Sequence, residues 1–172
     1  TSITTVGDIP VSVDTLNSHE IETAVNNGAD MILSIDHGNY EKLLPLLEEN
    51  KTPVVLLPTN YKEAIVPKDI FERVEYLEEL RKKCKKLPAI ADLVLDPINS
   101  TSIVDSIIAY NEYHKRNPDP LFWGVGNVTE LLDSDSTGVN SVLTGIGMEV
   151  GASILFTPEV SAKTKGSIYE LS

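Results

Sequence analysis

The stretch DLVLDPIN, residues 92–99, is a short apolar run that ends in Asp96, a proline and an asparagine. Small and apolar residues also precede it at positions 89–91, and polar and apolar residues do not alternate along the run. This pattern predicts a strand that is covered on both faces, as in parallel sheets. In α/β proteins, ligands bind beyond the carboxyl ends of such strands. Asp96 is therefore a candidate binding residue.

Strand and helix patterns alternate along the rest of the chain. Helical patterns with apolar stripes separate six predicted strands, at about residues 9–13, 31–35, 53–57, 89–95, 121–125 and 153–156. This alternation favours right-handed crossovers and a parallel sheet within a single domain over residues 1–172. Pro45 falls in the second helical pattern, so we expect that helix to begin near Leu44 or to kink at Pro45. Later helices are expected from about residues 67 and 100, with a polar loop over residues 133–138.

The number of strands leaves two architectures open. A closed eight-stranded (β/α) barrel usually takes about 250 residues. Six strands in 172 residues therefore fall two βα units short of such a barrel. The chain is either an open doubly wound sheet or the later part of a TIM-type barrel, six of eight βα units, with the first two units missing.

Charge and cysteine content exclude some classes of function. The chain has 14 Lys plus Arg against 26 Asp plus Glu, for a formal net charge of −12. This balance argues against binding to nucleic acid or to an anionic membrane surface, and no apolar run approaches the ~20 residues that a spanning helix needs. Cys84 is the only cysteine, so an internal disulfide is excluded and a reducing compartment, the cytoplasm, is expected.

A polar side chain follows each predicted strand. In chain order these residues are Asp14, Asp36, Asn60, Asp96, Asn127 and Glu159. Because the carboxyl ends of parallel strands meet at one rim of a sheet, we expect Asp14 and Asp96 to face a common ligand. Asp36 and Asn60 have an alternative interpretation as helix-cap or turn residues.

The types of these side chains suggest the chemistry of the ligand. Two carboxylates and a carboxamide suit hydrogen bonding to a flat nitrogen heterocycle, because a carboxylate accepts two N–H donors from an amino-pyrimidinone edge. The three histidines, His19, His37 and His114, lie on or beside different predicted helices. A transition-metal site is therefore not expected, while Mg²⁺ on the acids remains an open alternative.

Three motifs resemble successive motifs of the pterin-binding barrel proteins, the dihydropteroate synthases and their relatives. They are VSVDT at 11–15, GADMI at 28–32 and LVLDP at 93–97, and in detail the chain is most similar to the archaeal dihydropteroate synthase-related proteins. The resemblance implies a (β/α)₈ barrel, of which this chain holds the third to the eighth strand. It also implies that Asp14 and Asp96 bind the amino and ring N–H groups of a pterin, in a transferase of folate or methanopterin-type metabolism.

A fourth motif points to a neighbouring branch of the same superfamily. GVGNV at 124–128, followed by Asn140, resembles the pterin-dependent corrinoid methyltransferases more than the synthases. That resemblance implies that Asn127 contacts the pterin near its methyl-bearing nitrogen.

The chain also departs from the synthase pattern. Leu33 stands where the family usually has a pterin-binding Asn, and Asp36 or Asn60 would substitute for it. GNV at 126–128 and FTP at 156–158 stand where the synthases carry Ser-Arg-Lys and Arg-x-His. Without these cations a departing pyrophosphate would lack charge stabilisation. The alternative function is therefore a non-catalytic pterin-binding or assembly module.

An incomplete barrel would leave two sheet edges without a neighbour. These edges are the predicted strands at residues 9–13 and 153–156. Unpaired edge strands offer free N–H and C=O groups to another chain. The fragment is therefore expected to form homo-oligomers through these edges.

Overall fold

The computed structural model describes residues 9–99, 102–132, 136–159, 162 and 164–171. Within these ranges the six strands are β1 (Ser12–Val13), β2 (Met31–Ile35), β3 (Val54–Leu56), β4 (Ala89–Ala91), β5 (Leu121–Gly124) and β6 (Ala152–Phe156). The helices in the same ranges are α1 (Ser18–Asn26), α2 (Tyr40–Asn50), α3 (Ile70–Lys83), α4 (Ile103–Arg116), α5 (Gly126–Thr129), α6 (Ser136–Glu149) and α7 (Ser167–Leu171).

The strand order decides between the two predicted architectures. The pairs β1–β2, β2–β3, β3–β4 and β5–β6 are all parallel, and the order in the sheet is β1-β2-β3-β4-β5-β6. A doubly wound sheet reverses its strand order at a switch point, and this sheet does not. The partial (β/α) barrel of TIM type is confirmed, and the open doubly wound alternative is wrong.

The chain divides into two compact units, each with its own apolar core. Unit 1 comprises Thr1–Pro67 and Glu75–Ala91, and unit 2 comprises Lys68–Val74 and Asp92–Ser172. In unit 1, fully buried side chains come from both faces of β2 and from the helices beside it, as the lack of alternation predicts. The expectation of a single domain over residues 1–172 stays a prediction.

Trp123 of β5 belongs to the buried core of unit 2. Its ring lies edge-on to Tyr110, with centroids 4.7 Å apart, and both side chains are fully buried. Helix α6 approaches the indole at Gly147, where an added Cβ would lie 2.8 Å from Trp123 Cδ1. The glycine thus allows α6 to pack directly on β5.

The stretch at residues 92–99 differs from its prediction. Strand β4 ends at Ala91, four residues before the predicted end, and Val94 has a φ of +63°. The Asp92 Oδ1 atom accepts a hydrogen bond from the Val94 N–H at 2.7 Å, which turns the chain there. Leu93 and Leu95 are nevertheless buried. The apolar run therefore reflects burial of an irregular segment. The predicted fourth strand is confirmed at Ala89–Ala91, and its extension to residue 95, next to Asp96, is wrong.

Several helix boundaries also differ from the predictions. Helix α2 begins at Tyr40, so a start near Leu44 is wrong and Pro45 lies inside the helix. Helix α3 begins after Asp69, whose Oδ1 accepts the Phe71 N–H at 2.9 Å. Helix α4 begins at Ile103, close to the predicted start, although residue 100 itself lies outside the described residues. Of the predicted polar loop, residues 136–138 belong to α6 and residues 133–135 lie outside the described ranges.

Candidate functional site

Asp14 lies one residue beyond β1, in unit 1, and its side chain is exposed. The Ser34 hydroxyl of β2 donates a hydrogen bond to its Oδ1 atom. This bond holds one carboxylate oxygen against the neighbouring strand. The prediction that the end of β1 presents an accessible acid therefore agrees with the geometry, while its role in ligand binding stays a prediction.

Asp36 follows β2 and is fully buried in unit 1. Its Oδ1 atom accepts the Gly38 N–H at 2.8 Å. Its Oδ2 atom accepts the Tyr61 N–H at 2.6 Å and the Thr59 hydroxyl at 3.1 Å. Both oxygens thus bind groups of the protein itself, which favours the predicted alternative of a turn residue.

Asn60 and Asn39 also satisfy backbone groups of unit 1. Asn60 caps the 3-10 turn at Tyr61–Glu63, because its Oδ1 accepts the Glu63 N–H at 3.3 Å. Asn39 was not singled out from the sequence, yet it is buried and its Nδ2 donates to the carbonyl oxygens of Ser34 at 3.0 Å and Leu16 at 3.3 Å. An Asn two residues after a histidine in a loop gives no pattern by which this role could have been found.

A cavity of about 460 Å³ begins one residue after Asp14. It is lined by Thr15, Leu16 and Asn17, between β1 and α1, and by Tyr61. All four residues belong to unit 1. This cavity and the exposed Asp14 carboxylate make the β1–α1 connection a candidate binding region of that unit.

Asp96 lies in unit 2 and is bound to a buried cation. The Arg73 Nη2 atom is 2.7 Å from Asp96 Oδ2, and the Lys68 Nζ atom is 3.9 Å from Oδ1. Arg73 is 3% exposed, and its Nη1 also donates to the Val94 carbonyl oxygen at 3.0 Å. The Asp96 N–H donates to Ser106 Oγ at 3.2 Å. The carboxylate is therefore fixed through one oxygen.

Arg73 was not predicted from the sequence as a site residue. A signal was present: Arg73 stands three residues after Ile70 and four before Leu77, on the apolar stripe of α3. A lone cation on such a stripe is either exposed or paired inside the protein. Here it is paired with Asp96.

Asp92, and not Asp96, is the acid directly after β4. Asp92 is buried, and the Tyr110 hydroxyl lies in hydrogen-bond contact with its Oδ1 and 2.9 Å from the Phe122 carbonyl oxygen. Burial, followed by the charge of Asp92, raises the pKa of Tyr110 well above its ordinary value. This buried pair ties α4 to β5 within unit 2, a role that the apolar pattern could not reveal.

Asn127 lies in the first turn of the short helix α5 and is exposed. The preceding Gly126 packs closely on Pro158, where an added Cβ would lie 2.5 Å from the Pro158 Cδ. The glycine therefore has a packing reason that is independent of a ligand. Contact of Asn127 with a pterin stays a prediction.

The predicted site residues are distributed over both units. Asp14, Asp36 and Asn60 belong to unit 1, while Asp96 and Asn127 belong to unit 2. Within unit 1, Asp36 and Asn60 both face Gly38, where an added Cβ would lie 3.1 Å and 3.0 Å from their Oδ1 atoms. That Asp14 and Asp96 bind one common ligand stays a prediction.

Metal clusters and membrane-spanning helices are both absent from the described residues. No group of three or more His, Cys, Asp or Glu side chains there could hold a metal ion, and none of the helices in those ranges is long and apolar enough to cross a membrane. Cys84 is buried, and burial raises the pKa of its thiol to about 11. The thiol is therefore protonated near neutral pH and is not a nucleophile.

Comparison with known proteins finds a matching family and a closely similar relative. Residues 1–105 match the family model described as "Pterin binding enzyme". An uncharacterized protein of Methanocaldococcus jannaschii, MJ0107, is 54% identical over 171 residues, which covers 95% of this chain and 32% of that protein. The chain thus spans about a third of the length of this relative.

Solved dihydropteroate synthases have a similar fold. The Xanthomonas albilineans enzyme in complex with 7,8-dihydropteroate has a TM-score of 0.70 at 19% identity, covering 98% of this chain and 67% of that one. The 7,8-dihydropteroate synthase of Vibrio fischeri ES114 has a TM-score of 0.63 at 23% identity, covering 86% and 61%. At these identities the likeness supports the barrel fold.

Proposed function

This chain belongs to the pterin-binding enzyme family, and from that premise we propose that it forms the pterin-binding part of a transferase in folate or methanopterin-type metabolism. The observation that carries the proposal is the family match over residues 1–105, which includes both Asp14 and Asp96. Asp14 would accept hydrogen bonds from the pterin's N–H groups. Its exposure at the end of β1, with Ser34 on one oxygen, supports this role.

Asp96 would accept hydrogen bonds from other N–H groups of the pterin, through only one of its two carboxylate oxygens. Arg73 holds its Oδ2 atom, so Oδ1 is the oxygen that would accept from the ligand. Lys68 Nζ is 3.9 Å from Oδ1, beyond hydrogen-bond distance, and its side chain is 57% exposed. A pterin N–H could approach this oxygen without breaking the buried pair. Asn127, exposed at the start of α5, would contact the same ligand.

Binding can be tested by isothermal titration of the full-length protein with 7,8-dihydropterin. Asp14→Asn and Asp96→Asn each replace an acceptor with an amide that also presents N–H groups to the ligand's own donors. Each variant should weaken binding at least about fivefold, because a buried donor left unpaired costs ~1–3 kcal/mol. Repeating the titration in EDTA tests the open Mg²⁺ alternative.

Glu22→Gln on the surface of α1 provides a matched control. Glu22 pairs with Lys42 at 2.9 Å and is not among the predicted pterin contacts. Its substitution should leave the affinity unchanged. Absence of pterin binding, or unchanged affinity in both aspartate variants, would contradict the proposal.

The second candidate is a pterin-binding module without catalytic activity. Leu33 is buried and apolar where the family usually supplies a carboxamide, and Gly126–Val128 replaces the cationic motif of the synthases. Intact pterin binding without turnover of a pterin pyrophosphate and an aminobenzoate-type acceptor would favour the module. Measurable turnover would favour the transferase. The cytoplasm is the proposed location, on the argument from the single reduced cysteine.

A further inference from the structure

The function proposed above assigns no role to Lys68. This residue lies in unit 2, on the connection between β3 and α3, and its Nζ atom is 3.9 Å from Asp96 Oδ1. We propose that Lys68 determines which heterocycle binds, by donating a hydrogen bond to a ring carbonyl next to the N–H group that Asp96 Oδ1 accepts. The inference rests on the proposed pterin binding and names a specificity-determining residue of that site.

The start of α3 places Lys68 beside this carboxylate. Asp69 Oδ1 accepts the Phe71 N–H at 2.9 Å, which fixes the backbone directly after Lys68. The Asp69 carbonyl oxygen accepts the Arg73 N–H at 3.0 Å. The Arg73 side chain in turn holds Asp96 Oδ2 at 2.7 Å. The same turn of backbone therefore carries both the buried cation and the exposed one, and sets their positions relative to Asp96.

An ordinary surface ion pair is the alternative role of Lys68. With an N···O distance of 3.9 Å and a lysine side chain that is 57% exposed, the pair lies beyond hydrogen-bond distance and solvent screens it. Such a pair contributes little to the fold, unlike the buried bond from Arg73. Among the residues that the structure describes, none accepts a hydrogen bond from the Lys68 ammonium group. Its N–H groups are therefore available to a ligand.

Asp96 Oδ1 and Lys68 Nζ present an acceptor beside a donor. The carboxylate oxygen accepts an N–H group, and the ammonium group has N–H donors only. A lactam edge, in which a ring N–H lies next to a ring C=O, offers the matching groups in the reverse order. The bond from the ammonium group to the carbonyl is charge-assisted and therefore stronger than a neutral one. A ring with the N–H but a poor acceptor beside it would satisfy Asp96 and leave Lys68 unpaired.

The test compares two ligands that differ only at this carbonyl. The probes are 7,8-dihydropterin and its 4-thio analogue, in which a sulfur atom, a weaker acceptor, replaces the carbonyl oxygen and the neighbouring N–H is kept. Isothermal titration of the full-length protein gives the affinity for each, and the measured quantity is the preference for the oxo ligand over the thio ligand. Lys68→Met should lower this preference about fivefold, because it removes a charge-assisted hydrogen bond. Lys68→Arg, which keeps a cationic donor, should lower it less.

Lys115→Met is the matched control. Lys115 is also in unit 2, its side chain is 58% exposed, and it pairs with Glu112 on α4 at 2.8 Å. The substitution removes the same charge and should leave the preference unchanged. The preference is a better measurement than a single affinity, because loss of a nearby cation alters the charge around Asp96 for both ligands alike.

The outcomes separate this inference from the proposed function. An unchanged preference in Lys68→Met, including a loss of affinity that both ligands share equally, overturns the assignment of Lys68 and leaves pterin binding intact. An equal fall in Lys115→Met overturns it as well. Failure of both ligands to bind the unaltered protein overturns the proposed function and this inference with it.

Discussion

At the scale of single residues, Arg73 and Asp96 form a buried ion pair in unit 2. Arg73 is 3% exposed and its Nη2 lies 2.7 Å from Asp96 Oδ2. Removing one partner of such a pair leaves an uncompensated buried charge. Arg73→Met should therefore lower the free energy of unfolding by about 3–5 kcal/mol, measured by urea denaturation. Arg73→Lys should lower it less, because the charge remains while the planar fork is lost.

The exposed pair of Lys115 and Glu112 is the control for this prediction. Its atoms are as close, at 2.8 Å, but the Lys115 side chain is 58% exposed. Lys115→Met should leave the unfolding free energy nearly unchanged, because solvent screens the pair. An Arg73→Met protein as stable as the Lys115→Met protein would show that the buried pair does not stabilise the fold.

At the scale of elements, the segment after β4 shows what sequence patterns can and cannot predict. Periodicity identified the apolar run, and Leu93 and Leu95 are buried as expected. It could not separate a buried strand from a buried irregular segment, since both lack alternation. The turn depends on Val94 at a positive φ, which is the opposite of what a β-branched residue prefers. Local propensity is overridden here by the bonds from Asp92 and Arg73.

This backbone conformation gives a prediction about residue 94. At a φ of +63°, Cβ is strained by ~1–2 kcal/mol in any residue except glycine. Val94→Gly should therefore be more stable to urea than Val94→Ala by about 1 kcal/mol. At Val142, exposed in the middle of α6, the order should reverse, with glycine about 1 kcal/mol less stable than alanine. The same order at both positions would contradict the strain at Val94.

At the scale of the whole molecule, the sequence predicted the connectivity well and the polar contacts poorly. Alternating patterns and short connections led to six parallel strands in sequential order, because each βα unit follows local rules. The partners of Asp36 and Asp96 depend on residues far along the chain, Tyr61 and Arg73, that no local pattern connects to them. The position of Asp36 after β2 could be predicted, whereas the hydrogen-bond partners of its carboxylate oxygens could not.

The two terminal strands of the sheet lead to the last prediction. Among the described residues, β1 pairs with β2 and β6 pairs with β5, each on one side. Leu155 and Phe156 of β6 are 36% and 38% exposed. An apolar edge strand with unpaired backbone groups associates with another edge. The isolated 172-residue chain should therefore show a mass above 18.8 kDa that increases with concentration in light scattering.

A charge on this edge should reduce the association. Leu155→Lys places a cation on the strand, which hinders edge-to-edge pairing. Val142→Lys is the control, because it removes an exposed apolar side chain, 64% exposed, from a helix and leaves the strand edge intact. Association that falls only in Leu155→Lys, with circular dichroism unchanged in both variants, would assign it to the edge of β6. A monomer at every concentration, or an equal loss in both variants, would refute pairing through this strand.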